Sequence, residues 1–350
     1  MAIALHRVSI STRRKLVSIA LAIVIFAALA GLATLALGRP PEYAVSNAIL
    51  TGIGVGLFEE FYVQTLRGRW LRSMHPLRSL LVYTAVVVAI YFVALHLTHL
   101  VLGHWSELPT IYRRLPLALP MFVVFSVVGI GVMRVVHFVG AANLFHLIVG
   151  TYHRPVAKRA VLMFVDMNGS TAIGGRLGAF RMSALVGKFL FDIAKPITDA
   201  GGDIYLYKGD GLIAVWDWDE AVRDNAVLGA IDGTFAAVRR ERAAYLGQFG
   251  IVPTFRVGVH GGDVVVSEQG DTKRSIGVYG DTINIAARME EAAKTHAVAC
   301  VISGELAATL DDRSGRIRPL AEETIRGLKD PVLICEYRPD GEPRSAAAAD

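Results

Sequence analysis

Apolar positions follow two different rhythms along this chain. In the first 150 residues they form long unbroken runs: KLVSIALAIVIFAALAGLATLALG at 15–38, LLVYTAVVVAIYFVALHLTHLVL at 80–102 and LPLALPMFVVFSVVGIGVMRVVHFV at 115–139. Each provides the roughly 20 helical residues that cross a hydrocarbon core. A fourth run, YAVSNAILTGIGVGLFEEFYV at 43–63, carries Glu59 and Glu60 near its end. Beyond residue 160, short strand-like runs alternate with segments of helical period, separated by Gly, Asp and Pro. The pattern predicts an all-helical membrane-spanning part followed by a soluble domain of mixed strands and helices.

Charge placement sharpens this division. Arg7, Arg13, Arg14 and Lys15 stand at the start of the first run. Arg67, Arg69, Arg72 and Arg78 follow the second, and Arg154, Lys158 and Arg159 follow the last. Counting four spans puts all three clusters on the cytoplasmic side, as the positive-inside rule requires, although Arg113 and Arg114 then face outward. The expected organisation is a four-span membrane domain over 1–140, a helical linker over 141–158 ending near Pro155, a soluble domain over 159–340 and a disordered tail over 341–350. The first run is too long for a signal-peptide core and reads as an anchor.

Composition agrees. The chain is 53% hydrophobic and only 19% charged, too apolar for an ordinary soluble enzyme. Its net charge of +5 comes largely from clusters beside apolar spans, so it does not point to nucleic acid. Two cysteines, Cys300 and Cys335, could form one bridge but do not suggest a disulfide scaffold, and a reducing compartment is the simpler reading. Within the spans, Glu59, Glu60, His96 and His99 are candidate functional groups, whereas Arg134 and His137 are expected to snorkel toward the cytoplasmic surface. His96 and His99 share a helix face, which suits either ligand sensing or interhelical hydrogen bonding.

The candidate chemistry lies in the soluble part. RAVLMFVDM reads as a central strand buried on both faces, ending at Asp166. MNGST then leads into a helix over about 172–195, closed by Pro196, for which Asn168, Ser170 or Thr171 is the cap. Backbone N–H groups at such a helix start suit phosphate oxygens, and a strand-end carboxylate beside them suits a hard cation. Next, DIYLYKGDGLIAVW at 203–216 reads as a hairpin with Asp210 in its turn. If this hairpin pairs with the first strand, Asp166 and Asp210 form a two-carboxylate site of the kind that holds two divalent ions; otherwise Asp210 is an ordinary turn residue. A third strand, TFRVGVHGGDVVV, precedes SIGVYGDTINIAARMEEAAK, whose helix sets Asn284 and Arg288 four residues apart on one face. An amide and a guanidinium there suit a sugar oxygen and a phosphoryl oxygen, or Arg288 simply pairs with Glu291.

Taken in order, FVDMNGST, YKGDGLIAVW, VGVHGGDVVV, VYGDTINIAARME and TIRGLKDPVLICEY resemble the catalytic domain of class III adenylyl and guanylyl cyclases, over about 155–340. The four-span part resembles membrane-anchored bacterial cyclases in general plan. The resemblance implies an α+β domain with a ferredoxin-like βαββαβ core, and a head-to-tail homodimer with sites at the interface. It implies Asp166 and Asp210 as ligands of two divalent cations (Mg²⁺ or Mn²⁺), with the Met167 carbonyl a further ligand. Asn284 would orient the ribose and Arg288 stabilise the transition state, both acting on nucleotide held by the partner's aspartates. Asn168, Gly169, Ser170, Thr171 and Lys208 would contact substrate, and Arg326, with Lys329 as fallback, the terminal phosphates. Two positions depart from the family: Leu206 and Gly277 stand where a base-reading pair is usual. The GGD strings at 201–203 and 261–263 lack the acidic-aromatic continuation of diguanylate cyclases.

The expected function is therefore that of an integral-membrane adenylate cyclase, with its catalytic domain on the cytoplasmic side. It would convert ATP to 3′,5′-cyclic AMP and pyrophosphate for intracellular signalling. The alternatives are a guanylate cyclase, or a cyclase-like receptor domain that binds nucleotide with little turnover. Membrane lipid and a second copy are the expected partners.

Overall fold

The computed structural model describes residues 10–36, 38, 40–63, 68, 70–71, 74–103, 109, 112–113, 123–124, 127–128, 131, 149–271, 274–324 and 331–341. The chain divides into two compact units that part at residue 150.

In the N-terminal unit, α1 spans Ile10–Ala36, α2 Glu42–Phe58, continued by a π-helical turn at Glu59–Val63, and α3 Pro76–Leu102. These coincide with the first three apolar runs, because leucine-, isoleucine- and valine-rich stretches whose few charges sit near their ends have no soluble face to present. Among the described residues one helix, Leu77–Leu102, is long and apolar enough to cross a membrane, and Ile23–Ala36 is a shorter apolar stretch. The run at 115–139 lies almost wholly outside the described residues. His96 and His99 each bond through Nδ1 to the carbonyl four residues back, at 2.7 and 2.8 Å from Phe92 and Leu95. The buried Glu59 carboxylate accepts from the Tyr83 hydroxyl at 3.1 Å.

The second unit is built on one sheet. Its elements are β1 (Val156–Met167), α4 (Ser170–Leu177), α5 (Ala179–Asp199), β2 (Asp203–Lys208), β3 (Gly211–Asp217), α6 (Trp218–Val222), α7 (Ala226–Arg240) and α8 (Arg242–Phe249). There follow β4 (Phe255–Gln269), β5 (Ser275–Tyr279), α9 (Asp281–Thr295), β6 (Cys300–Ser303), α10 (Gly304–Ala307), β7 (Ile317–Glu323) and β8 (Val332–Tyr337). The strand order is β2-β3-β1-β4-β6-β8-β7, with β5 paired to β4. The run β2-β3-β1-β4, with α5 and α7 as connections, is the ferredoxin-like core. β1 begins at Val156, ahead of the boundary expected at 159 and inside the stretch read as linker.

Alternation along β1 separates the two faces of the sheet. Val161, Met163, Val165 and Met167 enter the large core with Leu185, Phe189 and Ile193 of α5 and Ile231 and Phe235 of α7. Ala160 and Leu162 face the other way, in a smaller cluster with Ile213, Val278 and Ala286 of α9. Burying a large aliphatic or aromatic side chain contributes about 1.5–3 kcal/mol, so the α5/α7 face carries most of the stability.

Two details differ from the sequence expectation. The single helix expected over 172–195 is two helices. Gly178, at φ +74 and ψ 162, divides α4 from α5 in a conformation that a side chain would strain. Pro196 does not end the second helix, which runs on to Asp199. A proline so near the C-terminus forfeits one backbone bond, and Ile193 and Ile197 on either side of it are fully buried.

α9 lies directly on β4. A Cβ on Gly258 would collide with the backbone of Met289 and Glu290. Gly258→Ala is therefore expected to lift α9 from the sheet and cost about 1–3 kcal/mol, seen as a thermal midpoint several degrees lower in the detergent-solubilised chain. An unchanged midpoint would contradict this packing.

His260, on β4, is buried with Nδ1 2.7 Å from Ser303 Oγ, and burial lowers its pKa to about 4. The folded state thus holds the neutral ring, whereas the unfolded chain takes up a proton below the ordinary value of 6.5. Stability present above that pH is lost as pH falls, by about 2 kcal/mol between pH 6.5 and 5 from this residue. Denaturation curves over that interval should be flatter for His260→Gln; parallel curves would remove His260 as the cause.

Candidate active site

The site is assembled at the C-terminal end of β1. β3 pairs antiparallel with β1, with Val165 opposite Leu212, so the hairpin does lie on the first strand. At the end of this ladder Gly211 sits so close to the Val165 carbonyl that a Cβ would strike it. Gly209, at φ +61, closes the turn before it. Only glycine fits a positive φ and a backbone-to-backbone approach of this kind. The two glycines of the G-D-G string thus bring Asp210 against the strand end that carries Asp166.

The electrostatics report the same proximity. Burial raises the pKa of Asp166, and the charges of Asp210 and Glu290 raise it further; Arg256 and Lys208 act in the opposite sense. Asp210 Oδ2 is buried with no hydrogen-bond partner among the described residues. A buried, unpartnered carboxylate oxygen beside a second carboxylate is costly without a compensating cation. The donor set, hard and oxygen-only, fits Mg²⁺ or Mn²⁺. Among the described residues no three His, Cys, Asp or Glu side chains converge as a metal-binding group, so the protein brings two carboxylates to the site. The Met167 side chain is buried in the core, which leaves only its backbone carbonyl to offer.

The phosphate side differs from expectation in one respect. The N-cap of α4 is Gly169, at φ +65, without a side-chain cap bond. Ser170 and Thr171 are the first residues of the helix rather than its caps. Asn168 is engaged elsewhere: its amide donates to Thr254 Oγ1 at 3.1 Å and its carbonyl oxygen accepts from Arg256. Lys208 is exposed at the end of β2, close enough for its charge to act on Asp166. Arg326 and Lys329 lie outside the described residues.

Asn284 and Arg288 occupy the exposed face of α9, whose other face buries Ile285, Ala286 and Met289. Arg288 pairs with Glu291 three residues on. Leu206 is half exposed on β2, which bulges between Ile204 and Leu206. The bulge frees Tyr205, whose hydroxyl accepts from the Val278 N–H at 3.2 Å and ties β2 to β5, where Gly277 lies.

Sequence reasoning missed two members of this neighbourhood. Arg256 stands opposite Asp166 in the β1–β4 ladder and bonds to Asp166 Oδ2 at 3.1 Å and to Glu290 Oε1 at 2.9 Å. The available signal was a charged residue inside the apolar run TFRVGV, where burial requires a partner.

Comparison with known proteins supplies the context. Residues 155–335 match the family described as "Adenylate and Guanylate cyclase catalytic domain". The chain is 31% identical over 204 residues to "Adenylate cyclase 2" of Rhizobium meliloti (strain 1021), covering 58% of this chain and 56% of that protein. It is 26% identical over 290 residues to "Adenylate cyclase 1" of the same organism, covering 74% and 42%. The chain thus spans about half, or less, of the curated relatives it matches. Its fold is similar to that of a bacterial light-regulated adenylyl cyclase, with a TM-score of 0.55 at 14% identity over 63% of this chain and 64% of that one. The family match runs from the start of β1 into β8, with Asp166, Asp210, Asn284 and Arg288 inside it, and the chain belongs to the adenylate and guanylate cyclase family, the class III nucleotidyl cyclases, which are phosphorus–oxygen lyases.

Proposed function

We propose that this chain is a membrane-anchored adenylate cyclase that forms 3′,5′-cyclic AMP and pyrophosphate from ATP, working as a homodimer. The observation that carries this reading is the meeting of Asp166 with Asp210, whose Oδ2 is buried and unpartnered. Three relatives described as adenylate cyclases support the choice of ATP. The apolar helix Leu77–Leu102 supports the anchor, and the runs around it support a multi-pass arrangement with the cyclase domain on the cytoplasmic side.

In the reaction the ribose 3′-oxygen bonds to the α-phosphorus, the bond from that phosphorus to the β-phosphate bridge breaks, and the hydroxyl proton is lost. Divalent cations bound at such a site supply acidification of the 3′-hydroxyl and neutralisation of the departing pyrophosphate. Asp166 and Asp210 would hold them, with the Met167 carbonyl. The free N–H groups at the start of α4, at Gly169, Ser170 and Thr171, face phosphate oxygens, and Lys208 and Arg326 add positive charge there. Asn284 orients the ribose. Arg288 leaves Glu291 to meet charge developing on the phosphoryl oxygens, the preorganised kind of stabilisation that usually contributes most. Both act on nucleotide held by the second copy, consistent with their outward position on α9.

A guanylate cyclase is the second reading, left open because the base-reading positions carry neither the adenylyl pair nor the glutamate and cysteine typical of guanylyl cyclases. Leu206 offers no hydrogen bond. A Cβ at Gly277 would come within 2.8 Å of Tyr279 Oη and 2.9 Å of Gln269 Oε1, so these two polar groups fill the space instead. Incubating the full chain with ATP or GTP, and with Mg²⁺ or Mn²⁺, decides between the readings by chromatography of the products. Cyclic AMP should dominate. Predominant cyclic GMP would transfer the assignment to the second reading, and no product from either nucleotide, in detergent and in lipid, would overturn both.

A further inference from the structure

We propose that Arg256 is a positioning residue that joins the two half-sites carried by one protomer, holding the Asp166 carboxylate and Asn168 while anchored on Glu290 of the helix that carries Asn284 and Arg288. This rests on the reading of Asp166 as a cation ligand.

The geometry is specific. Arg256 divides its guanidinium among three partners, two at the end of β1 and one on α9. One terminal nitrogen donates to Asp166 Oδ2 at 3.1 Å, the other donates to Asn168 Oδ1, and Nε donates to Glu290 Oε1 at 2.9 Å. The arginine side chain is 15% exposed and Glu290 16%, whereas Asp166 is 40% exposed. The strut is therefore shielded at its anchor and open toward the site. A planar guanidinium with five donors in fixed directions can serve three acceptors at once, which a lysine ammonium on its flexible stem cannot do with the same definition. Strand pleating explains how it reaches them: Arg256 and Gly258 share a face of β4, and the missing side chain of Gly258 lets α9 settle low enough for Glu290 to arrive beside Arg256.

This arrangement gives the three charges opposed duties. Arg256 fixes one oxygen of Asp166 and subtracts from the negative charge available to a cation. Glu290 draws the guanidinium toward α9 and so limits that subtraction. The register between the strand end and the face of α9 bearing Asn284 and Arg288 depends on the same three bonds. In a head-to-tail dimer that face serves the partner's nucleotide, so one arginine sets the geometry of Asp166 for one site and of α9 for the other.

The test uses the full chain in lipid nanodiscs. Mn²⁺ binding without nucleotide is read from the electron paramagnetic resonance of free Mn²⁺; kcat, KM and thermal midpoint are measured alongside. Arg256→Met should tighten Mn²⁺ binding about threefold or more while lowering kcat about 10- to 100-fold. Glu290→Gln, which frees the guanidinium to settle on Asp166, should weaken Mn²⁺ binding by a similar factor and also lower kcat. Arg256→Lys should fall between wild type and Arg256→Met in both, with KM for nucleotide nearly unchanged. Opposite shifts in Mn²⁺ affinity report the charges of the two partners, and the fall in kcat of Arg256→Lys, which keeps the charge and loses the fork, reports the positioning. Unchanged Mn²⁺ affinity in both variants, shifts of the same sign, or a kcat that only follows the folded fraction would overturn the proposal. Because Mn²⁺ binding is read without turnover, a wild-type chain that forms no cyclic nucleotide would sink the proposed function and leave this arm decisive on its own.

Discussion

Replacing Asp210 by alanine is expected to lower cyclic-nucleotide formation by about 10³-fold, equivalent to about 4 kcal/mol of transition-state stabilisation, without lowering the thermal midpoint of the metal-free protein. The two halves of this expectation have one cause. Asp210 Oδ2 is buried and accepts no hydrogen bond from the described residues, so alanine removes an uncompensated carboxylate oxygen and forfeits no partner among them. The same change relieves the charge that raises the pKa of Asp166. What is lost is affinity for the cation. Mn²⁺ should therefore raise the midpoint of the wild-type chain, as any ligand of the folded state does, and leave that of Asp210→Ala unmoved. Residual activity within tenfold of wild type, or an equal Mn²⁺ shift in both proteins, would return Asp210 to the status of a turn residue.

Arg288→Ala carries the second large effect, a fall in kcat of about 10²- to 10³-fold, the usual consequence of removing one donor aimed at developing charge. The fold should be indifferent, since the residue is half exposed and its partner Glu291 is more exposed still; an exposed i,i+3 pair contributes only a few tenths of a kcal/mol. The informative experiment mixes Asp210→Ala with Arg288→Ala protein. In a two-fold, head-to-tail dimer each site takes its aspartates from one copy and its arginine from the other. The mixed dimer then has one doubly defective site and one intact site, and random exchange should restore about a quarter of wild-type activity. Recovery would establish shared sites. No recovery under conditions of demonstrated subunit exchange would mean that each protomer works alone, and full activity of Arg288→Ala by itself would mean that Arg288 has no part in the reaction.

The local pattern was readable wherever one element decided the outcome. RAVLMFVDM announced a strand buried on both faces, and β1 is one; GDTINIAARME announced a helix with Asn284 and Arg288 on one side, and α9 presents them so. The expected helix over 172–195 failed at Gly178. Amphipathic period continues on both sides of that residue, and only its backbone conformation, φ +74 with an extended ψ, breaks the chain into α4 and α5. Asn168 failed as a cap for a different reason. Its side chain meets Thr254 and Arg256, far along the chain, and a local rule about helix starts has no access to partners of that kind.

By itself, then, the sequence determined the types and order of the elements, the carboxylates, amide and guanidinium they carry, and the family to which they belong. Period and turn chemistry are properties of neighbouring residues, and these suffice for that much. The tertiary structure alone decided that Asp210 lies against Asp166, that its Oδ2 is left buried with no partner among the described residues, and that Arg256 bonds to Asp166, Asn168 and Glu290. Those facts depend on sheet register and on how closely two backbones approach at Gly211 and Gly258. Such distances are fixed only when separate segments pack together.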